Sequence, residues 1–122
     1  MTLTELNLAQ FSGTENIYSY PFFGQQFFYT DGINYLVKKV QAYWLLDAIF
    51  SWQIYQKIKQ DSALQEFQIW SLEVNNDRSC QLICLRDKDA PVVSQSIPYT
   101  DFPLKQIKLY LIEKMLMLPR EY

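Results

Sequence analysis

Tyr43, Trp44, Asp47 and Ser51 are the one constellation in this 122-residue chain whose types and spacing could do chemistry. Positions four apart lie on one face of a helix. A helix through YWLLDAIFS would therefore set the Asp47 carboxylate between the Tyr43 phenol and the Ser51 hydroxyl, beside an indole. A carboxylate enclosed by apolar groups has its pKa raised and can work as a general acid or base. The same carboxylate can instead accept hydrogen bonds from Ser51, a tyrosine hydroxyl or an indole N–H and do no more than fix the packing. In a third arrangement the helix breaks near Val40, its phase resets, and Asp47 faces water.

The helical wheel states the question sharply. With Val40 set to zero at 100° per residue, Leu36, Val37, Ile54, Tyr55 and Ile58 fall within about 60° of it, and Asp47 and Ser51 within about 20°. An unbroken helix thus buries both. Yet some thirty residues, from Gly32 to Gln60, would make a rod about 45 Å long, against a radius of gyration near 14 Å for a domain of this size. A bend or break is expected. From Ala42 to Gln53 nine of twelve residues are apolar and cover every direction, so that stretch should be surrounded by protein.

Other groups offer less. Thr30 or Asp31 reads as the N-cap of the helix beginning near Gly32. Asp87 and Asp89 flank Lys88 but lack the further carboxylate that a calcium loop needs. Tyr99, Thr100, Asp101 and Phe102 form a rigid segment between Pro98 and Pro103, able to touch a ligand but simpler as a turn. With no histidine and no GxSxG, nucleophilic catalysis has no base and no elbow. The three glycines, Gly13, Gly24 and Gly32, are too scattered to cradle a phosphate. Nothing amounts to a catalytic, metal or nucleotide signature, and no cofactor is expected.

The length suits a single domain over residues 1–122. Its 49% hydrophobic and 16% aromatic residues place it far from the disordered regime, with rings to spare for interface anchors. A net charge of -2 offers no field to attract duplex nucleic acid. Cys80 and Cys84 would lie about 13 Å apart along a strand, too far to bridge. Together with the absence of a leader in MTLTELNLAQ, this points to the cytoplasm. Val40 to Gln56 is free of Lys and Arg, but Asp47 interrupts it and it is too short to span a membrane.

Along the chain, Thr2 and Glu5 match a capping box for a short first helix ending before Gly13. Ser12 to Gly24 reads as an ordered loop pinned by aromatics, and Phe27, Phe28 and Tyr29 as a brief extended segment. EFQIWSLEV and SCQLICLR, joined at Asn75-Asn76-Asp77, make a hairpin, and VVSQSI a third strand. Residues 104–118 are ambiguous: Leu104, Ile107, Leu111, Met115 and Leu118 suit a helix, while Ile107, Leu109 and Leu111 alternate as in a strand.

YTDG followed by YL, then AYWLLDAI with SWQ, and later IPYTDFPL and LPREY, resemble an uncharacterised family of small bacterial proteins, found in cyanobacteria and on mobile elements and classed as a domain of unknown function. The resemblance runs nearly end to end and carries no activity, substrate or catalytic residue with it. It implies a bacterial cytoplasmic protein and tilts residues 104–118 toward two strands. The resemblance implies that several relatives have a glycine near Val40 and Gln41 and a glycine-containing turn near Glu113 and Lys114; this chain has neither glycine.

The expected fold is α+β, with N-terminal helices packed on one face of a small antiparallel β-sheet formed by the C-terminal half. The expected role is a non-enzymatic interaction or accessory module that binds a protein partner or itself. The alternative is a small enzyme or ligand-binding protein with a polar pocket around Asp47, Ser51 and Tyr43.

Overall fold

Alternation builds the first hairpin. Tyr18, Tyr20 and Phe22 lie on one face of β1 (Ile17–Phe22), and each pairs with a residue on the same face of β2 (Gln25–Thr30): Tyr29, Phe27 and Gln25. Gly24, at φ +77°, makes the turn in a conformation that a side chain rarely adopts. The computed structural model describes residues 8, 10, 13–22, 24–86 and 90–122. The helix expected from Thr2 and the turn at Asp87–Asp89 lie outside them, apart from Leu8, which is buried in the core.

Thr30 begins α1 (Asp31–Lys39) as its N-cap, its hydroxyl accepting the Ile33 amide at 3.4 Å. Lys38 and Lys39 occupy the last turn, where the helix dipole favours cations. The break falls where the rod argument required one. Val40 ends α1, Gln41 takes a left-handed φ of 53°, and α2 (Tyr43–Ser51) starts afresh. It buries Leu45, Leu46, Ile49 and Phe50, so the core face is turned by roughly 150° from an unbroken helix at 100° per residue. A 3₁₀ turn (Trp52–Ile54) and two short helices, α3 (Gln56–Lys59) and α4 (Ser62–Glu66), complete the helical segment. Asp61 caps α4 through the Leu64 amide at 3.2 Å and ion-pairs with Arg86.

The rest of the chain supplies β3 (Phe67–Val74), β4 (Cys80–Leu85), β5 (Pro91–Ile97), β6 (Gln106–Ile112) and β7 (Met115–Met117). The ambiguity over residues 104–118 resolves to a hairpin: Glu113 and Lys114, at φ 47° and 74°, both adopt the left-handed conformation of a type I′ turn without a glycine.

The fold is α+β, and the strand order is β1-β2-β7-β6-β3-β4-β5. Two expectations need correction. The sheet does not belong to the C-terminal half alone, because the β1-β2 hairpin precedes the helices and joins it. Nor is it wholly antiparallel, since β2 runs parallel to β7. Ser19 and Pro21 hid β1 from the sequence. Both point away from the core on an edge strand, where a proline need not break a ladder.

The helices cover one face. There Trp70 lies between Cys84 and Leu109, and Leu72 between Leu82 and Ile107, all buried. Phe50 of α2 stacks on Phe27 with ring centroids 4.7 Å apart. Cys80 and Cys84 are free thiols on this inner face, and burial pushes the Cys84 thiol up to about 12.

Candidate functional site

The phase reset at Gln41 disperses the predicted constellation. Asp47 and Tyr43 are exposed on the outer side of α2. Ser51 donates its hydroxyl to the Ala48 carbonyl at 2.7 Å, and Trp44 is half-buried at the edge of the core. Trp44 and Ser51 line different clefts, the first with Tyr99 and Asp101, the second with Trp52 and Gln95. The arrangement is the third one, in which Asp47 faces water. Among the described residues no group of three or more Cys, Asp or Glu side chains is placed to hold a metal ion, and no helix is long and apolar enough to cross a membrane.

The polar groups that are enclosed do structural work. Gln53 and Gln68 exchange amide hydrogen bonds of 3.0 and 2.8 Å in the core. The remaining protons go to the Ile49 and Leu64 carbonyls, and the Trp70 indole donates to Gln68 at 2.9 Å. No buried side-chain donor or acceptor among the described residues lacks a partner. The sequence held one signal of this pair: Gln68 shares the strand face of Trp70 and Leu72, where an amide needs a partner.

YTDG and LPREY meet in space. The Glu121 carboxylate accepts hydrogen bonds from the Thr30 hydroxyl (2.6 Å), the Gly32 amide (3.0 Å) and the Leu118 amide (2.9 Å). It therefore clasps the start of α1, where free amides and the dipole favour an anion. Gly32 makes room for it: a Cβ there would stand 2.5 Å from the carboxylate oxygen and 2.6 Å from Leu118. Next to it Asp31 collects the Glu15 and Asn16 amides at 2.9 and 3.1 Å and the Tyr18 hydroxyl at 3.1 Å. The Glu15 amide is the main reason its carboxyl sits below the usual range. Tyr18 is held above its usual value, by desolvation first and then by Asp31. These two motifs are a joint between helix, hairpin and C-terminal turn.

The face of the sheet away from the helices is different in kind. In one row across four strands, Phe28 pairs with Met115, Met115 with Ile112, and Ile112 with Phe67. In the next, Met117, Tyr110, Ile69 and Leu85 follow one another across β7, β6, β3 and β4. All but Met117 keep part of their surface in solvent, and none of the eight belongs to the core cluster. Tyr122 is the described residue whose ring packs over them, with centroids 5.6 Å from Phe67 and 5.9 Å from Tyr110. Beyond these rows the face turns polar, through Lys108, Ser71, Ile83 and Ser94 and then Gln106, Glu73, Gln81 and Ser96.

A family model described as a family of unknown function, DUF6876, matches residues 2–122. The chain belongs to this family. The match takes in YTDG, LPREY and both faces of the sheet, and the family's description assigns no activity to any of them. No curated protein and no solved structure matches the chain.

Proposed function

We propose that this member of the family is a non-enzymatic interaction module of the bacterial cytoplasm, and that it acts by pairing with a second copy through the open face of its sheet. The observation that carries this reading is the double apolar row from Phe28 to Phe67 and from Met117 to Leu85, on a face that no described helix covers. A contiguous apolar patch with a polar rim marks a contact surface.

A second copy suits this face for two reasons. Its charges, Glu73 and Lys108, cancel, so that like faces do not repel. The four rows occupy about 500 Å² in plan at the ordinary strand spacings, before side-chain relief is added. A standard interface takes about 800 Å² of accessible surface from each partner, so a dimer of common size engages the whole face. The test is sedimentation equilibrium of the wild type and of Ile69→Lys. Dimerisation by the wild type and its loss in the variant support the reading.

The alternative of a catalytic or ligand pocket around Asp47, Ser51 and Tyr43 gains no support from the geometry. Two of the three face solvent, and the third has its hydroxyl proton engaged by its own helix.

A further inference from the structure

The other end of the sheet carries a second feature. β5 is an edge strand, and among the described residues none pairs with its outer side. Edge strands expose a row of backbone donors and acceptors, and most are guarded by charges, prolines or a covering segment. PVVSQSI has no charged residue, and its one proline stands at its first position. Among the described residues its outer backbone groups are open to another strand.

Beside it lie two clefts. Trp44 and Trp52 lie two turns apart along α2 and the 3₁₀ turn, both half-buried against the core. The Trp52 indole donates to Gln95 at 2.8 Å, which ties the helical layer to the inner face of β5. One cleft opens at Gln95, between Trp52, Ile54 and Tyr55. A second opens at Ile97, between Trp44, Tyr99 and Thr100, and Asp101 is the one charged residue lining it. The wall of this second cleft is fixed: the Arg78 guanidinium donates to the Thr100 carbonyl at 3.0 Å and also to that of Phe102, and the Phe102 amide donates to the Thr100 hydroxyl at 3.2 Å. The segment between the two prolines is a preformed surface.

We propose that β5 and the two clefts beside it bind an extended peptide from another protein, which adds to the sheet as an eighth strand and seats a Lys or Arg side chain between Trp44, Tyr99 and Asp101. Main-chain hydrogen bonds to the edge supply affinity, and pockets for alternate side chains supply selectivity. Gln95 and Ile97 are two residues apart, about 6.6 Å along the strand. That is the spacing of side chains on one face of an added strand. The peptide therefore carries an apolar or aromatic residue at one position and a cation two positions away. Aromatic faces and a carboxylate both attract a cation. The chain's own edge strands, IYSYPF and PVVSQSI, contain none, which argues against a second copy as the occupant.

The probe is the capped heptapeptide acetyl-STRTFTS-amide, with its Arg and Phe on one face when extended, titrated into the isotope-labelled protein. Expected are NMR shifts confined to β5 amides and the Trp44 and Trp52 indoles. Replacing the peptide's arginine by glutamate, or the exposed Asp101→Asn in the protein, should weaken binding about tenfold, and backbone N-methylation of the peptide should abolish it. Three outcomes would overturn the proposal: no shift at β5, equal binding of the arginine and glutamate peptides, or protection of β5 amides that rises with protein concentration alone. The last would mean that the edge pairs with a second copy. The open sheet face is untouched by any of these variants, so this result is independent of the dimer.

Discussion

Glu121 and Gly32 depend on each other. The carboxylate satisfies three donors, and the glycine leaves space that a methyl group would fill. Gly32→Ala should destabilise the protein by about 2 kcal/mol, since displacing the carboxylate strands the Thr30 hydroxyl and two amides. Glu121→Ala should lose a similar amount, and the double variant should lose much less than their sum. Urea unfolding of the four proteins measures this cycle; strictly additive losses would show that the two residues do not communicate. Asp31 provides a pH handle at the same scale. Its folded pKa lies below the unfolded value, so its contribution is present above about pH 4 and disappears as pH falls through the folded value. Asp31→Asn should flatten the acid limb of the stability profile below pH 4, as read by thermal unfolding at stepped pH.

Among the described residues three turns use side chains that resist them, one of them at Arg78 between β3 and β4. Gln41 between α1 and α2, and Lys114 between β6 and β7, have positive φ without being glycine. A side chain in that region costs about 1 kcal/mol. Gln41→Gly and Lys114→Gly should each raise the midpoint of thermal unfolding, with a gain reduced by the greater freedom of glycine in the unfolded chain. A drop in both variants would show that these turns are held by the side chains themselves.

The same turns mark what the sequence could reveal. Amphipathic spacing on each side of Val40 showed two helical stretches, and their combined length demanded a break. The orientation of Asp47, however, hung on the non-helical backbone from Val40 to Ala42, which no periodicity records. The hairpin from Phe67 to Leu85 was legible because its alternation is clean and a polar turn separates the arms. β1 was not, because its core-facing tyrosines and phenylalanine alternate with Ser19 and Pro21 and so resemble a loop. Glu121 escaped for another reason: two of its three partners lie some ninety residues away, and a carboxylate carries no local sign of a distant helix N-terminus.

For the whole molecule, the division of labour follows from the sheet. One face is covered by helices, and the amide pair of Gln53 and Gln68 is satisfied inside it. The other face holds two apolar rows without a described helical layer above them. The surplus of aromatic residues, visible in the composition, is shared between the sealed core and this open face, where Phe28, Phe67 and Tyr110 lie. Composition gave the excess but not its placement, because strand parity and register decide which rings meet water. Whether the open face joins two copies is decided by sedimentation equilibrium across a wide concentration range. A reversible dimer is predicted for the wild type, and a folded monomer for both Ile69→Lys and Ile112→Lys, whose cooperative melting confirms that the fold survives. A wild type that stays monomeric at every concentration, or a dimer unchanged by both lysines, would contradict it.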